Sequence, residues 1–383
     1  MKVLLYTHEF PPFQGGIATS AKRIADIVSS EYELMVCCPS YSTENRDETV
    51  GYPIKRIDFL GGKNFKKIPL LQYFLGLRKL KESINDFAPH KIVYLGEEAE
   101  IVGGLLNNKE IDQIVRIAGS GIESILNSKK FSKMVFKHFL KKLYKNAKSI
   151  VAVSKNTEKL MNKHPDYFSK EKIKLIYNGI DDEFINRNKD YEIRNSLNIK
   201  KDEFVLLTVA RLLPRKGQDY VIKALSKISN TNIKYICVGE GRFLNDYKKL
   251  ATSLKIEDRV IFIGGINRDI IHKYYDCADI FILCNRKWDS KIEGLPNVVI
   301  ESMARSIPVI GSKNSGTEEL ILDGINGFLV DPYDTNSIRT KIMEAHQNRD
   351  KLDKMGESAK IFIEENFNYQ RMRKDYLELI TDE

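Results

Sequence analysis

A chain of 383 residues is long enough for two domains with full hydrophobic cores, and its 42% hydrophobic, 10% aromatic and 30% charged composition is that of a globular protein. No run of 18 apolar residues occurs, which excludes a transmembrane helix. The formal charge of +9 is unevenly spread: of the chain totals of 61 basic and 52 acidic residues, positions 1–180 hold 29 and 19, leaving 32 and 33 for the rest. The first half therefore presents a basic surface suited to an anionic partner, whether lipid, phosphorylated substrate or nucleic acid.

In chain order, the segment from Met1 to Gly16 has one lysine and a four-residue apolar run, too short for a secretory signal, and reads as a first strand at Val3–Tyr6. Further strands are predicted at Glu33–Cys38, Lys91–Leu95, Ile114–Ile117 and Ser149–Val153. A second set follows at Val205–Val209, Lys234–Val238, Val260–Ile263, Ile280–Leu283 and Pro308–Ile310. Longer amphipathic stretches separate them, the pattern of crossover helices around parallel sheets, and two Rossmann-like domains in tandem result. The junction falls near Tyr177–Asp182, where a strand-like run (Ile173–Tyr177) ends in an Asn-Gly turn signal. The expected division is 1–180, 181–360 and a C-terminal helix, 361–383, crossing back to the first domain. Five cysteines form no CxxC pair, in keeping with a reducing cytosol, and neither they nor the six histidines have metal-ligand spacing.

Three stretches concentrate the residue types that handle phosphates and sugars. Pro11-Pro12-Phe13-Gln14-Gly15-Gly16 follows the first strand and precedes an amphipathic pattern of Ile17, Ala21, Ile24, Ala25 and Val28. Glycines at a helix N-terminus let backbone N–H groups approach an anion, and a tight turn without a ligand is the alternative. The stretch lacks GxGxxG and a ribose-reading acid, which counts against a nicotinamide dehydrogenase. Thr208–Gly217 ends the second domain's first strand, so Arg211 and Lys216 stand where open α/β sheets bind ligands and can neutralise a diphosphate; a surface loop with two cations is the alternative. Glu293 and Glu301 lie eight residues apart on a loop-to-helix corner. Glu301, at the start of an apolar helix, needs a ligand or a structural partner, because a carboxylate buried alone is costly.

In order over nearly the whole chain stand Pro-Pro-x-x-Gly-Gly, Asn178-Gly179-Ile180-Asp181, Arg211 with Lys216-Gly217, Val238-Gly239-Glu240-Gly241, Glu293-x7-Glu301 and Asn326-Gly327-Phe328-Leu329-Val330. This set resembles the retaining glycosyltransferases of family 4. The resemblance implies the GT-B fold, an α/β architecture of two Rossmann-like domains facing across a cleft. It further implies an N-terminal acceptor domain, a C-terminal domain for a nucleotide-diphosphate sugar, and no cofactor or obligatory metal. Carried onto this chain, Gly15 and the backbone of Gly16 meet the donor's distal phosphate, and Arg211 and Lys216 its diphosphate. Leu295, Pro296, Asn297 and Val298 complete the phosphate cradle, and Gly241 and Gly264 belong to the same donor site. Glu301 holds the ribose hydroxyls and Glu293 faces the transferred sugar. Glu293, Arg211 and Lys216 form the expected catalytic set for front-face, retaining transfer, in which cations and amides stabilise the departing diphosphate. A paired-carboxylate glycosidase mechanism is not implied, since no second carboxylate is evident at nucleophile distance. One departure concerns Val115–Ser120: where many relatives carry a histidine before the glycine, this chain has Ala118, which leaves the donor sugar open.

Residues 129–174 hold 14 lysines and no arginine, opposed by Glu158, Asp166 and Glu171. Within them, Phe131, Val135, Phe139 and Leu143 recur every four residues, with Lys130, Lys133, Lys137, Lys141 and Lys148 on another face. Either this is a solvated face over a packed stripe, or an interfacial helix docking on anionic lipid. Lys63, Lys66 and Lys67 in the stretch from Gly61 to Leu71 add a second basic element at the acceptor or membrane surface. The leading expectation is transfer from a nucleotide sugar, UDP-linked in preference to GDP-linked, to a lipid-linked saccharide in surface polysaccharide, lipopolysaccharide or glycolipid biosynthesis. The enzyme would be cytoplasmic and peripheral on the inner membrane face, with no nucleic-acid partner. Alternatives are a soluble transferase making a small glycoside or glucan, a GT-B sugar-nucleotide epimerase, or a nucleotide-binding module without turnover.

Overall fold

Runs of aliphatic residues with no polar alternation are the mark of strands buried on both faces of a parallel sheet, and this chain has two such sheets. A computed structural model describes residues 1–13, 15–40, 50–58, 71–119, 121–128, 131–186, 192–229, 232–288 and 293–382. They divide into two units, Met1–Asn178 with Gln370–Glu383, and Gly179–Tyr369.

In the first unit β1 (Lys2–Thr7), β2 (Glu33–Pro39), β3 (Ile54–Ile57), β4 (Lys91–Leu95), β5 (Asp112–Ile117), β6 (Ser149–Ala152) and β7 (Ile173–Leu175) pair in parallel. Their order is β3-β2-β1-β4-β5-β6-β7. In the second unit β8 (Phe204–Val209), β9 (Ile233–Val238), β10 (Val260–Gly264), β11 (Ile280–Leu283), β12 (Val309–Ser312) and β13 (Gly327–Val330) run in the order β10-β9-β8-β11-β12-β13. Every residue of β4 and of β8 is buried. Both orders reverse next to the unit's first strand, between β1 and β4 and between β8 and β11, and such a reversal opens a crevice at the carboxyl ends of the strands.

The strands expected from the sequence all form, with ends shifted by one or two residues. Two others carry weaker sequence signals. β3 reads Ile-Lys-Arg-Ile, with three of its residues half-buried, and β13 is a four-residue, mostly buried Gly-Phe-Leu-Val; each is a short outer strand of its sheet.

The lysine-rich segment forms a helix, Phe131–Asn146, but the buried face differs from the expected one. Leu140, Leu143, Tyr144 and Ala147 are buried and Phe136 packs against the core, whereas Val135 and Phe139 are only half-buried. A strict every-four repeat advances 40° further than a whole turn at each step, so it spirals off any one face of a 3.6-residue helix. Gly104 lets the helix Glu97–Leu106 press against this one, since a Cβ there would fall 2.1 Å from the Phe139 carbonyl oxygen. Sealed between the two, Glu100 accepts a 2.6 Å hydrogen bond from Tyr144 Oη, and burial pushes its carboxyl up to about 8.

The chain passes between units at Asn178–Gly179 and again at Tyr369–Gln370. Ile180 N donates to Phe367 O (2.8 Å) and Tyr369 N to Ile180 O (3.1 Å), tying the two passages together. A Cβ on Gly179 would lie 2.6 Å from Asn368 O, which explains the glycine of the Asn-Gly junction. Helix Tyr369–Thr381 then packs in the first unit: Tyr376, Leu379 and Ile380 are buried, and Lys91 Nζ donates to Asp382 O at 2.6 Å.

Candidate functional site

The second unit gathers its charged residues at the switch between β8 and β11. Beyond β8 the backbone continues beside the β9 loop, with Ala210 N donating to Val238 O and Leu212 N to Glu240 O, both at 2.9 Å. That approach needs glycines: a Cβ on Gly239 would lie 2.3 Å from Ala210 O, and one on Gly241 2.3 Å from Leu212 O. Gly241, expected at the donor, thus has a packing role here. Gly264, at the end of β10, is left-handed (φ +85°) with open space where a side chain would stand, and its carbonyl accepts from Gly239 N at 2.7 Å.

A single 3-10 turn, Pro214–Lys216, then swings the chain over β11. Gly217 closes it at φ +80°, and a Cβ there would sit 2.0 Å from Cys284 O. The turn points Arg215 and Lys216 at Glu293. Lys216 Nζ lies 2.7 Å from Glu293 Oε2, and Arg215 Nη1 binds the same oxygen. All three side chains are largely enclosed, 11–16% exposed. Burial alone would raise the Glu293 carboxyl, but the charges of Lys216 and Arg215 outweigh it and hold the group down to about 2. Burial likewise lowers Lys216, with Glu293 pulling the other way. Arg211 is exposed, and its charge bears on both Lys216 and Glu293. Asp219 is matched by Arg286 through two hydrogen bonds of 2.9 and 2.8 Å. The enclosed Arg215 and Lys216 therefore bind one carboxylate and the exposed Arg211 adds its charge from the edge, a surplus of two positive charges among the described residues.

Loop residues Gly294, Leu295 and Pro296 are buried, because Gly316 presses on them: a Cβ there would fall 1.5 Å from Gly294 O, and Gly316 N donates to Glu293 O at 3.2 Å. Helix Asn297–Ala304 starts here without a side-chain cap, and Val298 lies in its first turn. Glu301, on its second turn, is buried, accepting from Tyr275 Oη at 2.8 Å on one oxygen and from Arg268 Nη2 at 3.1 Å on the other. The carboxylate thus has the structural partners its burial demands. Arg215, Arg268 and Tyr275 escaped sequence reasoning: only the turn's geometry brings Arg215 to the same oxygen as Lys216, and the other two come from elements far along the chain.

In the first unit Gly15 and Gly16 open helix Gly16–Ser29, which has neither a side-chain cap nor an acid in its first turn. Arg116, at the end of β5 ahead of Ala118, is buried and donates to Asn178 Oδ1, which also accepts from Ser20 Oγ. His8, read from sequence as ordinary, stands over Gly96 at the β1/β4 switch, where a Cβ would collide with its ring at 1.9 Å. Lys137 and Lys141 are half-buried, Lys141 lying 5.6 Å over the Tyr167 ring. Lys63, Lys66, Lys67 and Lys130, the side chain of Lys133, and Gln14 of the glycine stretch lie outside the described residues. Among the described residues no helix is long and apolar enough to cross a membrane.

Comparison with known proteins matches residues 14–184 to the family described as Glycosyltransferase Family 4 and residues 189–362 to Glycosyl transferases group 1. An uncharacterized glycosyltransferase of Methanocaldococcus jannaschii is 24% identical over 98% of this chain and 96% of its own. A GDP-mannose-dependent alpha-(1-6)-phosphatidylinositol monomannoside mannosyltransferase of Mycolicibacterium smegmatis is 28% identical over 47% and 48%. The lipopolysaccharide 1,2-N-acetylglucosaminetransferase of Salmonella typhimurium is 29% identical over 54% and 55%. Among solved structures, sucrose-phosphate synthase of Thermosynechococcus elongatus superposes with a TM-score of 0.85 at 18% identity over 99% of this chain and 98% of that one. Anabaena HepE in complex with UDP gives 0.80 at 21% identity over the whole of both chains.

Proposed function

Because this chain belongs to glycosyltransferase family 4, with two Rossmann-like domains like its GT-B neighbours, we propose that it transfers a sugar from a nucleotide-diphosphate sugar to a lipid-linked saccharide, with retention of anomeric configuration and without an obligatory metal. The observation that carries this reading is the surplus of positive charge, counted over the described residues, where Arg215 and Lys216 bind Glu293 and the charge of Arg211 reaches it. A nucleoside diphosphate leaving with two or more negative charges is the complement of such a corner, and fixed cations in a dry site do the work otherwise given to a metal ion. The uncapped start of helix Asn297–Ala304 adds backbone N–H groups at the same edge.

In the proposed step the acceptor hydroxyl oxygen bonds to the anomeric carbon as the bond from that carbon to the diphosphate breaks on the same face. The hydroxyl proton passes to the departing phosphate oxygen, giving the glycoside and the free nucleoside diphosphate. Glu293, held at about 2, has no proton to give near neutrality, so it acts as a fixed anion. It orients both cations through Oε2 and offers Oε1 to a hydroxyl of the transferred sugar. UDP is favoured over GDP on the likeness to UDP-bound HepE, although the mycobacterial relative uses GDP-mannose. The lipid-linked acceptor and a peripheral place on an anionic inner membrane face draw on the phosphatidylinositol and lipopolysaccharide relatives and on the lysine-rich first unit.

Thermal unfolding with UDP, GDP, ADP and CMP in chelator tests the reading. A ligand at 100 times its dissociation constant stabilises by about 2.7 kcal/mol. One nucleoside diphosphate should raise the melting temperature without metal; no shift with any of them would refute the donor assignment.

A further inference from the structure

Asn285 follows β11 by two residues, at the switch with β8, and its chain neighbours Cys284 and Arg286 meet the turn that carries Arg215 and Lys216. It is 1% exposed, and neither Nδ2 nor Oδ1 has a hydrogen-bond partner. Among the described residues it is the only side chain with two buried, unmatched polar atoms. The backbone on both sides is fixed: Cys284 O abuts Gly217, and Arg286 N donates to Arg215 O at 3.0 Å. Gln218, next to Gly217, has an unmatched buried Oε1 as well, while its Nε2 donates to Arg211 O at 3.2 Å. An apolar residue of the same shape would fill the place of Asn285 without leaving polar groups unpaired. A carboxamide there weakens the ligand-free protein, and a group that does so at a binding edge points to a partner brought by the ligand.

We infer that Asn285 is a specificity-determining residue for the donor, its carboxamide turning to meet a hydroxyl of the nucleotide sugar. The chemistry selects a hydroxyl rather than a phosphate. A phosphate oxygen only accepts hydrogen bonds and would leave Oδ1 unmatched, whereas a hydroxyl accepts from Nδ2 and donates to Oδ1. The phosphates already have Arg211, Arg215 and Lys216. The inference rests on the donor reading above, and the hydroxyl belongs either to the ribose or to the transferred sugar.

The test compares wild type, Asn285→Ala and Asn285→Leu by unfolding without ligand and by titration with pyrophosphate, UDP and UDP-glucose, with the GDP pair replacing the UDP pair if GDP is the base that stabilises wild type. Leu keeps the branching and the number of side-chain heavy atoms but is larger, so Ala and Leu disturb the packing in opposite directions and the test survives if one of them fails to fold. A variant that folds should keep its pyrophosphate affinity while losing about tenfold in affinity for the hydroxyl-bearing ligand. Loss with both the nucleoside diphosphate and the nucleotide sugar assigns the nucleoside, and replacing the nucleoside diphosphate by its 2′,3′-dideoxy form then tests the ribose; loss with the nucleotide sugar alone assigns the transferred sugar. Unchanged affinity for both ligands overturns the inference, as a trapped water or a packing role would give, and so does an equal loss of pyrophosphate. If wild type binds no nucleoside diphosphate, the donor reading itself fails, and that result is distinct from a wild type that binds and variants that bind equally well.

Discussion

Replacing Glu293 by Gln separates the electrostatic role proposed for this carboxylate from a donor-binding one. Its carboxyl lies at about 2 against an ordinary 4.5, a difference worth about 3 kcal/mol at 1.36 kcal/mol per pH unit. The sign follows from linkage: a depressed folded-state value contributes stability that is present above 4.5 and lost as the pH falls toward 2. At pH 7 the variant should therefore be less stable by about 3 kcal/mol, a drop in melting temperature of roughly 6–12 °C for a unit of this size, with the gap narrowing below pH 4.5. Removing the anion also raises the local surplus from two positive charges to three. Affinity for the nucleoside diphosphate should hold or rise, by on the order of 1 kcal/mol, while transfer slows at least 100-fold through lost orientation of Lys216 and Arg215. Calorimetric unfolding between pH 3 and 8, isothermal titration with the nucleoside diphosphate and steady-state transfer read these quantities. A variant that melts with wild type at every pH, or that loses diphosphate affinity in step with rate, would refute the reasoning.

Lys216→Ala should abolish the nucleoside-diphosphate shift in thermal unfolding, because it removes the enclosed ammonium and leaves Glu293 with Arg215 as its remaining partner; a retained shift places the diphosphate elsewhere. Glu100→Gln should stabilise the protein as pH rises, since a carboxyl raised to about 8 leaves stability intact below 4.5 and takes away up to about 4–5 kcal/mol by pH 8. Urea unfolding at pH 4.5 and pH 8 checks this through a difference present only at the higher value. The double change Lys137→Glu with Lys141→Glu should cut flotation with anionic liposomes at least tenfold, each basic residue near the surface being worth about 1 kcal/mol, and leave neutral vesicles unaffected; equal flotation sinks the membrane reading.

What the sequence discloses follows the strength of the local signal. β4 and β8 sit in the middle of their sheets with every residue buried, so their largely apolar runs are read directly. β3 and β13 sit at edges and run for only four residues each, too short to stand apart from what a loop also shows. The site divides the same way. Lys216 is recognisable because a turn after the first strand of a doubly wound sheet has a fixed place relative to the switch point, and Glu293 because it stands at a loop-to-helix corner eight residues before Glu301. Arg215 has the same charge and neighbourhood in sequence, and only the left-handed Gly217 packed on Cys284 decides that both side chains reach one carboxylate oxygen. Arg268 and Tyr275 enclose Glu301 from segments 33 and 26 residues away, a distance over which no periodicity speaks. Asn285 lies beyond that again, since no described protein group satisfies it. Sequence patterning encodes what the chain does to itself; a polar group whose partner arrives with the substrate shows only as an exception to that patterning, visible once the packing around it is known.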